Sequence, residues 1–148
     1  MSETSTPLSN ADSDRALSVK FFEIKLSARQ TEAILSPAKY KLYGGAMGGG
    51  KSILGCYESI KNCLIYEGNV VYIFREELNA LKTSTMITFR KMCPPQVIKQ
   101  WNLSENFIDF VNGSRCYFRG FSETRNENKE KKGSMECGMF FVDEAHET

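Results

Sequence analysis

Apolar residues recur along this chain with two different periods, and the changes between them predict its elements. The runs Val70-Val71-Tyr72-Ile73-Phe74 and Met139-Phe140-Phe141-Val142 are uninterrupted, the pattern of strands covered on both faces in a parallel sheet. Lys39 to Tyr43 alternates charged and apolar residues and predicts a further strand leading into Gly44. Ile53, Tyr57, Ile60 and Leu64 recur at helical spacing, with Gly68 as the stop signal. Leu78, Leu81 and Met86 continue that period through a segment from Glu76 to Cys93, which breaks at Pro94-Pro95. From Phe107 the pattern changes to alternation, with Ile108, Phe110, Tyr117 and Phe118 flanking Asn112-Gly113, a pair that marks a β-hairpin.

Upstream of these elements, Phe21, Phe22, Ile24 and Leu26 form a short apolar patch. Ser27-Ala28-Arg29-Gln30 then has the S-x-x-Q spacing of a capping box and predicts a short helix to about Leu35, stopped near Pro37. Met1 to about Arg15 is polar with almost no apolar residue. Residues 1–20 are therefore expected to form a disordered leader, with the folded part in 21–148. Glu123 to Lys132 mixes both charges without an apolar residue and is closed by Gly133, which predicts a mobile surface loop.

Composition narrows the class more than the function. With 148 residues, 41% hydrophobic and 25% charged, the chain suits one ordinary soluble domain. A net charge of +1 gives no overall nucleic-acid footprint. Lys82, Arg90 and Lys91 read as a solvated helix face, with contact to DNA phosphates as the alternative. The five cysteines are scattered and contain no C-x-x-C pair, so reduced and mostly buried thiols are expected. Cys56 and Cys63, seven positions apart, share one helix face. No apolar run approaches the about 20 residues of a membrane span, and the polar N-terminus lacks a secretory signal, so a cytoplasmic protein is expected.

Chemistry enters at Gly45 to Ser52, which fits the phosphate-binding pattern G-x-x-x-x-G-K-[ST]. Gly45, Ala46, Met47, Gly48, Gly49 and Gly50 would wrap a phosphate with backbone N–H groups. Lys51 would place its charge on the β- and γ-phosphates of ATP, and Ser52 would offer a hydroxyl to Mg²⁺ at a helix start. Asp143-Glu144 follows the last apolar run, at the strand end where open α/β sheets bind ligands. Asp143 would hold the metal shell, and Glu144 would orient or deprotonate the attacking water. Gln30 has two readings, as the capping partner of Ser27 or as an amide that reads the adenine edge. His146, the only histidine, is either a coupling residue or a polar helix-start residue.

These motifs, in this order, resemble the large terminase subunits of tailed bacteriophages, the motors that package DNA into procapsids. The resemblance runs from Gln30 to the C-terminus and rests on Gly44-Gly45, G-G-G-K-S, F-R-E-E-L-N-A-L-K-T-S-T after the second strand, N-G-S-R-C-Y-F-R-G-F and the closing F-V-D-E-A-H-E. It implies an α/β phosphate-loop ATPase of the additional-strand, RecA-like class, a parallel sheet with helices on both faces. It also implies a homo-oligomeric ring at the portal protein, double-stranded DNA and a small terminase subunit as partners, and the host cytoplasm as location. By the same resemblance Lys51 and Ser52 bind phosphate and Mg²⁺, Asp143 is the metal-side acid and Glu144 the catalytic glutamate.

Two departures qualify it. Many relatives carry an arginine four positions before the lysine, where this chain has Met47, so Arg75, Arg119 or a neighbouring subunit would have to supply it. The family's coupling motif and nuclease domain do not occur before Thr148, so the chain reads as an incomplete N-terminal piece, a split gene product or a truncated sequence. Such a piece is expected not to cleave DNA and to hydrolyse ATP weakly or not at all alone. Two other readings stay open. One is a superfamily-two helicase fragment, since Asp143 to His146 spells D-E-A-H. The other is a non-catalytic nucleotide-binding or assembly fragment.

Overall fold

The run after Asn69 forms strand β1, Val70–Arg75, the strand from which the parallel part of the sheet is built. The computed structural model describes residues 24–45, 50–122 and 136–145. The leader, Phe21, Phe22, the loop at Glu123 to Lys132 and His146 lie outside them. β1 pairs in parallel with β4, Arg115–Gly120, on one side and with β5, Met139–Val142, on the other. β2, Ile98–Asn102, and β3, Phe107–Phe110, extend the sheet antiparallel beyond β4. The five strands run in the order β2-β3-β4-β1-β5, so the sheet is mixed rather than purely parallel.

Helix α1, Ala28–Leu35, follows Ser27 as the capping box requires, and both reciprocal bonds of the box are present. Helix α2, Lys51–Ile65, buries Cys56, Tyr57, Ile60 and Cys63 on one face. The segment after Glu76 is two helices, α3 at Leu78–Thr83 and α4 at Thr85–Met92. They meet at Ser84, whose backbone (φ −127, ψ −77) departs from helical geometry. Leu81, Met86 and Phe89 from this pair join Cys56, Ile60, Val71, Ile73, Cys116 and Phe118 in one core cluster. By the two-residue period of a strand, Val71, Ile73, Cys116 and Phe118 occupy one face of the sheet.

The opposite face carries Tyr72, Phe74 and Tyr117. Tyr72 stacks on Tyr117 with ring centroids 4.9 Å apart, and Phe74 on Phe121 at 4.7 Å. Among the described residues the helical side chains of the core cluster lie on the first face, while the helical residues Phe121 and Ser122 follow β4 on the opposite one, where Phe121 covers Phe74. The Asn-Gly pair makes the expected hairpin between β3 and β4, closed by Gly113 N–H donating to the Phe110 carbonyl at 3.1 Å.

Two strand expectations are corrected. Lys39 to Tyr43 is not a strand; Tyr40 and Leu42 are 74% and 94% exposed, and no described strand lies alongside to receive their hydrogen bonds. Among the described residues β5 is an edge strand, paired only with β1, and Phe140 is 55% exposed rather than covered. β2 was not predicted at all. No helix among the described residues is long and apolar enough to cross a membrane.

All five cysteines are free. Four are buried, and Cys137 is partly accessible. Burial pushes the Cys93 thiol up to about 12, with Cys63 adding to the effect. Burial raises Cys56 and Cys116 as well. A thiol reagent at pH 8 should therefore titrate one fast equivalent, Cys137, in the native protein and all five after denaturation. Packing gives a second expectation. A Cβ on Gly120 would lie 2.8 Å from the backbone nitrogen of Leu78, which cannot yield like a side-chain tip. Gly120→Ala should cost about 1–3 kcal/mol, read from the shift of the urea midpoint.

Candidate functional site

The site is assembled where α2 begins. Gly50 caps α2 with a left-handed backbone (φ 74), a conformation that glycine adopts without steric cost. Its neighbour is Gln30, and a Cβ on Gly50 would lie 2.3 Å from Gln30 Nε2. Gln30 is buried, 6% exposed. Its Oε1 accepts from Ser27 N–H at 2.8 Å, and its Nε2 donates to the Gly50 carbonyl at 3.0 Å. The capping reading of Gln30 is thus met, and the same amide ties α1 to the exit of the glycine-rich loop.

Lys51 and Ser52 form the first turn of α2 and face two different acids. Lys51 Nζ donates to the Gly45 carbonyl at 3.3 Å and lies 3.8 Å from Glu144 Oε2. This pair is partly exposed, and such pairs contribute about 0–1 kcal/mol, so it matters for placement more than for stability. Ser52 Oγ donates to Asp143, at 3.1 Å from Oδ1 and 3.0 Å from Oδ2. The two residues are 91 positions apart in the chain.

Asp143 leaves β5 with its N–H donating to the Phe74 carbonyl at 2.8 Å, which extends the ladder with β1 by one bond. Asp143 as a whole is 2% exposed. Besides Ser52, the buried hydroxyl of Thr85 donates to Oδ2. No salt bridge joins Asp143 to a cation among the described residues. The carboxylate contributes, after burial itself, to raising the neighbouring Cys56 thiol. Glu144 follows with φ 52, a left-handed conformation that is uncommon outside glycine and concentrates at functional positions.

Beside these residues a trough of about 1090 Å³ separates the segment from Ala38 to Gly45 from β5, with Lys51, Asp143 and Glu144 among its lining residues. Ala46, Met47, Gly48 and Gly49 lie outside the described residues. Arg75 Nη1 donates to Ser84 Oγ at 3.1 Å, next to Thr85. Arg119 points elsewhere, over the Tyr117 ring with a bond of 2.6 Å to the Glu105 carbonyl. The residue that sequence reasoning missed is Thr85. It is one of three hydroxyl residues in Thr83-Ser84-Thr85, and only its complete burial distinguishes it.

A family model described as terminase large subunit, T4likevirus-type, N-terminal, matches residues 42–148. Comparison with curated proteins gives no match.

Because Gln30 serves two elements and Ser27 only one, their alanine variants should differ. Ser27→Ala should cost about 1 kcal/mol, the value of a helix cap. Gln30→Ala should cost about 2 kcal/mol, since it also leaves the Gly50 carbonyl without the amide donor. Parallel urea denaturation of both variants checks the difference.

Proposed function

This chain belongs to the family of T4-like terminase large-subunit N-terminal regions, and on that premise we propose that it is the ATP-binding and ATP-hydrolysing part of a viral DNA-packaging motor. One observation carries the reading. Ser52, directly after the loop lysine, meets the carboxylate of Asp143 at 3.0 Å across 91 positions of sequence, at the C-terminal ends of parallel strands. In this reading the fold is an additional-strand, RecA-like phosphate-loop core. DNA, the portal protein and the small terminase subunit are its partners, and the intact motor is a ring.

The residues present fit a magnesium ion. Asp143 is a buried carboxylate answered by two hydroxyl donors; a hard cation takes such oxygen donors and offsets the cost of the buried charge. When bound, the ion would neutralise charge on the phosphate oxygens. Ser52 and Asp143 would hold it, Ser52 with lone pairs left over after its proton is given to Asp143. The Lys51 ammonium, now on the Gly45 carbonyl, would bind the β- and γ-phosphates, and the glycine-rich segment before it would supply backbone N–H donors to them. Glu144 accepts the proton of the attacking water. Gln30 stands at the loop exit to read the base. Of the two arginines considered, Arg75 is joined through the Ser84 hydroxyl to that of Thr85 and is the better placed to serve the γ-phosphate.

The test is equilibrium binding of a fluorescent ATP analogue with Mg²⁺ present, together with phosphate release. Wild type is expected to bind and to turn over slowly when alone. Lys51→Ala should weaken binding at least about tenfold, or 1.4 kcal/mol. Glu144→Gln should keep the affinity and remove residual turnover. Wild-type affinity in Lys51→Ala, or no binding by the wild type, defeats the reading.

A further inference from the structure

We infer that Thr85 is a positioning residue for the metal-side carboxylate, its hydroxyl acting with that of Ser52 to fix the orientation in which Asp143 receives a divalent cation. The inference rests on the ATPase reading above and assigns a function to a residue outside its motifs. Thr85 opens α4 and is fully buried. A buried hydroxyl costs free energy unless it is hydrogen-bonded, whereas valine would fill the same space without that cost. The Thr85 proton goes to Asp143 Oδ2. The neighbouring Ser84 hydroxyl, 3.4 Å away, donates to the Ala80 carbonyl at 2.7 Å and accepts from Arg75 at 3.1 Å. The hydroxyl of Thr85 therefore serves the carboxylate, while that of Ser84 serves the corner between α3 and α4.

An aspartate needs such help because rotation about its last side-chain bond is broad and only two-fold preferred. The backbone of Asp143 is pinned by the Phe74 carbonyl, but that bond does not orient the carboxylate plane. Two hydroxyls from different helices do. Ser52 reaches both oxygens, and Thr85 reaches Oδ2 alone. Oδ2 thus accepts two donors and Oδ1 one, which leaves Oδ1 with more acceptor capacity for a cation. The main chain of Thr85 is itself tied to the helix that carries Ser52, since the Cys56 thiol donates to its carbonyl at 3.7 Å. Carboxylate, serine and threonine are therefore held by β5, α2 and α4 together.

The probe is Mn²⁺, with free ion followed by electron paramagnetic resonance while the full chain is titrated in the presence of ATP. Nucleotide affinity is measured separately in EDTA. Thr85→Val, which keeps the shape and removes the hydroxyl, should weaken Mn²⁺ binding about tenfold, as loss of a ligand's supporting bond does. Its metal-free nucleotide affinity should stay within about twofold of wild type, because Lys51 and the loop are untouched. Thr85→Ser, which restores the hydroxyl, should bind Mn²⁺ within about threefold of wild type. Wild-type Mn²⁺ affinity in Thr85→Val overturns the positioning role and leaves the ATPase reading standing. If the valine variant does not fold, a folded Thr85→Ser with Mn²⁺ binding weakened about tenfold overturns it equally. Failure of the wild type to take up Mn²⁺ with ATP overturns the ATPase reading, and this inference falls with it.

Discussion

The carboxylate of a residue that is 2% exposed as a whole has to be answered from inside the protein, and the arrangement around Asp143 follows from that requirement. Water is not available to solvate it, so its oxygens are met by hydroxyls on the first turns of α2 and α4. Those two helices must therefore begin at the same place, at the C-terminal ends of β1 and β5. The sheet provides that place because β1 and β5 are parallel and in register, with Phe74 opposite Val142, so that both strands finish together. The core cluster beneath holds the two helices against each other and against the sheet. The hydrogen bonds at Asp143 and the apolar packing below them are two levels of one arrangement.

The motifs were legible in the sequence where the interaction that made them is local or repeats along the chain. The capping box at Ser27 and Gln30 closes over four residues and formed as read. β1 formed from its apolar run because burial on both sides of a central strand leaves no polar position. At Asn112-Gly113 the left-handed glycine makes the turn, and the Asn112 amide secures it by accepting from Ser114 N–H and donating to the Cys63 carbonyl. The meeting of Ser52 with Asp143 was anticipated from the two motifs, although no local rule connects residues so far apart.

What was not legible depended on neighbours. Lys39 to Tyr43 has a strand's alternation, but a strand also needs a partner, and none of the described strands stands beside it. β2 was missed because its pairing with β3 slips between Ile98 and Gln100, so the two-residue period that would reveal it is broken. The division of the helical segment at Ser84 left no proline or glycine to mark it. Thr85 could not be separated from Thr83 and Ser84 by composition. Only the bend between α3 and α4 turns one of the three hydroxyls inward.

Gln30 caps α1, and its valences leave room for the base contact that the proposed reading asks of it. A carboxamide carries two N–H donors and two acceptor lone pairs. The bonds to Ser27 and to the Gly50 carbonyl use one of each. One donor and one lone pair remain, the complementary couple that the edge of an adenine displays. A base that took them would inherit a side chain already immobilised at both ends, so the entropy of ordering it has been spent in folding and not in binding.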